Sequence, residues 1–237
     1  MPALEHNSAN PKAEDEMGVV YRLYLGLAQF MRGDSLGGKL LYAGEADAAG
    51  GRLVRAANIA GAATLAVSAD AALLRRAMRE AAVDFVVNSL DEALRILKNE
   101  IRKQQPVAVG VSVAPEKLLR EMAERGVQPD LLRADLPDSA EIQLFVDRGA
   151  QRVVPQGLPG GINFNIVPVP EDWKQPAAAF DALLLECVPP EDAVNRRWVQ
   201  LAPRYLPNEA RRLRSVACDA GAMLQLIVRI GDANPES

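Results

Sequence analysis

Between Lys39 and Val154 six short apolar runs alternate with five longer amphipathic stretches. The runs are Lys39–Ala43, Ala63–Val67, Asp84–Val87, Val107–Val111, Asp130–Arg133 and Gln151–Val154. Val107–Val111 is apolar at almost every position, as suits a strand covered on both faces. Parallel strands need crossover helices, and right-handed crossovers stack those helices on both sides of the sheet. The pattern therefore predicts an α/β domain over residues 17–155, a doubly wound parallel sheet with helices on both faces.

Helix signals fall between the runs. Met17 to Met31 carries Val20, Leu23, Tyr24, Leu27 and Phe30 at helical spacing and stops at Gly33. Asp70 can cap a helix with Leu74 and Met78 on one face. Ser89 and Glu92 form a capping box before a stripe of Leu90, Leu94, Leu97 and Ile101. Pro115 opens the next helix and Gly126 ends it. Asp138 and Glu141 are placed to cap a helix with Ile142, Phe145 and Val146, which Gly149 ends.

The flanks read differently. Residues 1–16 are a polar head, expected to be disordered, and hold the one histidine, His6. Residues 156–176 are a Gly/Pro-rich connection with one short strand near Phe164 to Val167. No Lys-Ser/Thr follows Gly160-Gly161, so that stretch reads as a turn and not a phosphate loop. Residues 177–230 are a C-terminal α/β extension, either on the same sheet or a small appended unit. It reads as a strand (Ala182 to Cys187), a helix with Val194, Trp198 and Leu201, a helix from Asn208 to Ala222, and a strand (Leu224 to Ile230). Residues 231–237 are a tail.

Composition removes several function classes. Net charge is −4, which gives no electrostatic footprint for nucleic acid. The pairs Arg196-Arg197 and Arg211-Arg212 read as solvated helix faces. No apolar run reaches about eighteen residues, so no membrane span is expected, and residues 1–16 do not read as a secretory signal. Cys187 and Cys218, the two cysteines, read as free thiols in a reducing cytoplasm. With one histidine and no Cys cluster, neither a His-based triad nor a metal site is expected.

Ligands of open parallel sheets lie beyond the carboxyl ends of the strands. The residues there are Gly44, Glu45, Asp47, Gly50, Gly51 and Arg52, then Ser68 and Asp70, Asn88, Ser112, and Arg133 with Asp135. These segments also carry a family resemblance. Leu36-Gly37-Gly38-Lys39 with the strand to Ala43-Gly44, Asn58-Ile59-Ala60-Gly61-Ala62, Leu90-Asp91-Glu92-Ala93-Leu94, and Glu124-Arg125-Gly126-Val127-Gln128-Pro129-Asp130 follow one another in register. From about Gly18 to Asp135 the chain resembles the Rossmann-like, NAD-binding domain of urocanase (urocanate hydratase). The resemblance implies a lyase whose bound NAD acts as the electrophile toward the imidazole ring of urocanate, and a homodimer.

The departures fall on the ligand side. The family turn reads Gly-Leu-Gly-Gly-Met-Gly-Gly-Ala-Gln. Here Gly44 and Gly50 remain, while Ala46, Asp47 and Ala49 replace three glycines whose bare backbone would touch a pyrophosphate. Glu45 and Asp47 add negative charge where a diphosphate would lie. At an effective dielectric near 20, like charges ~4 Å apart repel by ~4 kcal/mol, and Arg52 is the cation expected to offset part of this. The acid expected to hold the ribose is replaced by Ser68, with Asp70 two residues on. The family's Gly-Asn after the fourth strand is Val113-Ala114, and its His-containing segment after the fifth is Arg133 to Asp138. The flanking catalytic regions of the family have no counterpart in these 237 residues. The expectation is a degenerate, non-catalytic relative that holds no NAD and serves as a binding or assembly module, self-associating as a dimer. The alternative is a polar small molecule, or an enzymatic reaction, at a site rebuilt from the same strand ends.

Overall fold

The computed structural model describes residues 11–206 and 212–233, so His6, Asn208, Arg211 and the last four residues lie outside it. Helix α1 (Pro11–Ala28) leads into β1 (Leu40–Glu45), α2 (Ala48–Ala60), β2 (Ala63–Val67), α3 (Ala71–Arg79), β3 (Phe85–Val87), α4 (Leu90–Lys103) and β4 (Val107–Val111). Then come α5 (Pro115–Glu124), β5 (Leu131–Arg133), α6 (Ala140–Asp147) and β6 (Gln151–Val153). The six strands form one parallel sheet in the order β3-β4-β2-β1-β5-β6.

Strand periodicity sorts the core into two layers. Leu41 and Ala43 of β1 face a cluster built with α1 and α2, while Leu40 and Tyr42 face one built with α4, α5 and α6. Every residue of β2 and β4 is buried, because both lie inside the sheet with both faces covered. From β1 the chain moves first to β2 and later, with β5, to the opposite side of β1. The loops after β1 and β5 therefore part over a switch point.

Beyond β6 the chain forms β7 (Asn163–Pro168), α7 (Ala177–Glu186), α8 (Ala193–Tyr205), β8 (Leu213–Cys218) and α9 (Ala220–Ala233). β7 and β8 make their own antiparallel pair. This unit does not stand apart. Tyr21 and Tyr24 of α1 pack against Phe164 and Trp198, and α8 packs on α2 within one continuous core.

Several expectations are corrected here. The first helix starts at Pro11, six residues before Met17, within the stretch read as a disordered head; Glu16 in its second turn ties it to Arg52 and Arg55 of α2. Residues 182–187 lie mostly in α7, not in a strand: Ala177–Glu186 has no β-branched residue, and Phe180 and Leu184 bury one face. Residues 213–218, expected as helix, are β8, whose buried Arg214 and Ser215 find Asp181 and the Trp198 indole. Residues 224–230, expected as strand, are in α9, which Asp219 caps through the Ala222 amide. On α3, Ala77 rather than Met78 accompanies Leu74 into the core. The cap of α6 is Ser139, which accepts from the Ile142 amide, while Asp138 pairs with Arg152. The Arg196-Arg197 pair is structural and not a solvated face. Arg196 donates to the carbonyls of Leu185 and Val188, and Arg197 to that of Ile59, so cations meet the C-terminal ends of α7 and α2.

Candidate functional site

At the switch point the turn after β1 is shaped by two glycines. Gly44 has φ +71°, and a Cβ there would fall 2.5 Å from Leu136 Cδ2. A Cβ on Gly50 would fall 2.0 Å from the Glu45 carbonyl oxygen, because α2 starts hard against the end of β1. Both glycines serve the backbone fit of strand, turn and helix. Gly51 is under no such pressure; its nearest outside atom would be 3.7 Å away.

Three amides around the turn, those of Ala46, Gly50 and Gly51, bond within the chain. The Ala46 amide donates to the Val67 carbonyl at 2.8 Å, and that of Gly51 to the Asp47 carbonyl at 2.8 Å. The Gly50 amide donates to the Asp47 carboxylate at 2.7 Å, which makes Asp47 the N-cap of α2. Arg133, at the end of β5, reaches across. Its Nη1 lies 3.2 Å from Asp47 Oδ1 and 3.4 Å from the Glu45 carbonyl oxygen, and its Nε lies 2.6 Å from Asp135 Oδ1. The guanidinium is mostly buried, with 13% of its side chain exposed. Arg52, the cation expected to offset Glu45 and Asp47, instead pairs with Glu16 at 2.7 Å. It sits on the side of α2 that faces α1, and Arg133 takes its place at the turn.

The other strand ends are also internally engaged. Ser68 is fully buried and its hydroxyl accepts from the Asp70 amide at 3.0 Å. The Asp70 carboxylate caps α3 through the Ala72 amide at 2.7 Å. Ser89 caps α4 by accepting from the Glu92 amide, while the Glu92 carboxylate accepts from the Asn88 amide, one residue before the cap and not from Ser89 as the expected box required. The Ser112 amide donates to the Val87 carbonyl. The structure thus gathers Gly44, Glu45, Asp47, Gly50, Arg133 and Asp135 around one turn. It leaves Arg52 facing α1 and uses Asp70 and Asn88 at their own helix starts.

Tyr42 belongs to this neighbourhood and was not among the candidates. Its ring is buried and its hydroxyl has no hydrogen-bond partner among the described residues. Burial first, then the Glu45 charge, pushes that hydroxyl above its usual range, with Arg133 opposing. The alternation Leu40, Leu41, Tyr42 was the available signal, since it turns Tyr42 inward. Among the described residues no group of three His, Cys, Asp or Glu is placed to hold a metal ion, and no helix is long and apolar enough to cross a membrane.

A doubly wound parallel sheet with a glycine turn at its switch point defines a Rossmann-like α/β domain. Residues 18–137, just over half of the chain, match the model of the urocanase Rossmann-like domain. The chain belongs to the urocanase family. The match runs from within α1 to the loop after β5, and the unit from β7 to α9 lies outside it.

Proposed function

We propose that this chain is a urocanase-family domain whose dinucleotide turn is closed by its own side chains, and that it acts as a binding or assembly module rather than a hydratase. One observation carries this reading: the Asp47 carboxylate caps α2 and faces Arg133. A pyrophosphate at a helix start draws on free amides and the positive end of the helix dipole. Here Asp47 already accepts from the Gly50 amide and neutralises the nearby guanidinium. An incoming diphosphate would have to displace Asp47 from both partners and then lie beside two carboxylates, at ~4 kcal/mol for each like-charge contact near 4 Å. On the ribose side, Asp70 is engaged in capping α3 and Ser68 is buried against its own turn. These residues do not fit NAD, and no step of urocanate hydration is assigned to them. The two free thiols suit a cytoplasmic location.

A direct assay tests the reading. Purified chain is incubated with urocanate and excess NAD, and the loss of urocanate absorbance is followed. The rate is expected to equal that without protein. Turnover that requires NAD would overturn the proposal.

A further inference from the structure

A bulge in β1 decides where Glu45 points. Tyr42 is level with Leu65 of β2 and Glu45 with Val67, and the register shifts at Ala43 between them. Leu65 and Val67 lie in the core layer built with α4, α5 and α6, so Tyr42 and Glu45 share that side of the sheet. Val67 is in turn level with Val111 of β4. Two strand spacings, ~10 Å, therefore separate Glu45 from the strand that leads into α5. Glu116 stands in the first turn of that helix. Tyr42 is fully buried and its hydroxyl has no hydrogen-bond partner among the described residues. The charges of Glu45 and Glu116 both act on that hydroxyl. Neither carboxylate has a hydrogen-bond or ion-pair partner among the described residues. The nearby guanidinium of Arg133 is taken by Asp47 and Asp135. Two unpaired acids thus flank a buried hydroxyl, which costs free energy until something bonds it.

We propose that Tyr42, Glu45 and Glu116 hold a primary ammonium group, carried by a small amine or an amino acid. An ammonium has three N–H donors and no acceptor. The two carboxylates and the neutral hydroxyl supply three acceptors, and the two negative charges select a cation. Among the described residues no three His, Cys, Asp or Glu gather to hold a metal ion, so an ammonium suits these oxygens better. The start of α5 offers a second contact. The Glu116 and Lys117 amides precede the first helical bond, from the Leu118 amide to the Ala114 carbonyl, and Ala114 has no capping side chain. These amides suit the carboxylate of an amino acid. Leu136, 8% exposed and packed in the same layer as Tyr42, is the side chain that turns aside as the ligand enters. This inference rests on the reading of the chain as a binding module and names what it binds.

Calorimetric titration of the full chain with ethylammonium chloride and with alanine tests it. Saturable binding of one or both is expected. Tighter binding of alanine adds the α5 amides to the site, and tighter binding of ethylammonium confines it to the three oxygens. Tetramethylammonium chloride has no N–H donor and is expected not to bind. Glu45→Gln and Tyr42→Phe are each expected to weaken binding about tenfold without loss of thermal stability. Glu124→Gln, at an exposed acid near the far end of α5, should leave it unchanged. Failure of both ammonium compounds to bind, equal binding of tetramethylammonium, or binding indifferent to both site substitutions overturns the inference. NAD binding would instead overturn the closed-turn reading and leave the ammonium site standing.

Discussion

Asp130, just before β5, accepts from the Lys39 ammonium at 2.7 Å and from the Leu40 amide at 2.9 Å, across 91 and 90 residues of chain. Two segments that carry the family resemblance, the Gly-Lys turn before β1 and the Pro-Asp entry into β5, are thus halves of one junction. The amide bond is the part that should matter, since an amide left unpaired at a strand start costs its desolvation. Asp130→Ala is expected to cost ~1–3 kcal/mol in urea unfolding. Lys39→Met should cost less than ~1 kcal/mol, because that ion pair is about a third exposed. Equal losses would mean that the ion pair, not the amide, holds the junction.

The glycines of the turn separate backbone need from chance. Gly50→Ala drives a Cβ into the Glu45 carbonyl oxygen, and Gly44→Ala combines that kind of clash with a positive φ. Each is expected to cost more than ~2 kcal/mol. Gly51→Ala should be neutral or stabilising by up to ~1 kcal/mol, since it lies within α2 and meets nothing close. Thermal unfolding of the three variants checks the ranking.

The buried tyrosines set an alkaline limit. Burial raises the hydroxyls of Tyr21, Tyr24 and Tyr42 above the usual value of 10. Each therefore favours the folded state fully below that value, and the contribution is lost as pH rises through the folded pKa. Phenolate absorbance of these three tyrosines is expected to appear together with unfolding and not before it, while the half-buried Tyr205 is replaced by Phe to remove its own signal. The three also differ in role. The Tyr21 hydroxyl donates to Asn195 and that of Tyr24 to the Val194 carbonyl, whereas that of Tyr42 has no such partner among the described residues. Tyr42→Phe should leave stability unchanged or raised, and Tyr24→Phe should lower it by ~1–2 kcal/mol.

The unit from β7 to α9 completes the core. A chain ending at residue 155 would uncover the Tyr21 and Tyr24 rings and the side of α2 that α8 covers. It is expected to lose its cooperative thermal transition and to bind a hydrophobic dye. In the full chain, Trp198→Ala should cost ~3–5 kcal/mol, as befits a fully buried indole bonded to Ser215. A sharp transition in the shortened chain would show that the sheet and its helices stand alone.

The repeating half of the chain was legible because each element obeyed its own local rule. β2 and β4 were read residue for residue, since interior strands are apolar on both faces. Ser89 and Pro115 marked helix starts through local chemistry alone. The C-terminal unit hid its periods. α7 and α9 are apolar on more than one side, so no stripe stood out, and the β-branched Ile227, Val228 and Ile230 imitated a strand. β8 was obscured because the polar Arg214 and Ser215 are buried in it through partners distant in sequence, Asp181 and Trp198. In the site, the acids of the turn were visible, but their partner was not. Whether Arg52 or Arg133 faces Asp47 depends on the phase of α2 and on β5 lying beside β1.

The central claim is that Asp47 holds the place of a phosphate. Calorimetric titration of the unmodified chain with NAD tests it most directly. No binding heat up to millimolar cofactor is the expected result. A micromolar dissociation constant, abolished when Gly50 is replaced by a bulkier residue that still allows folding, would contradict it.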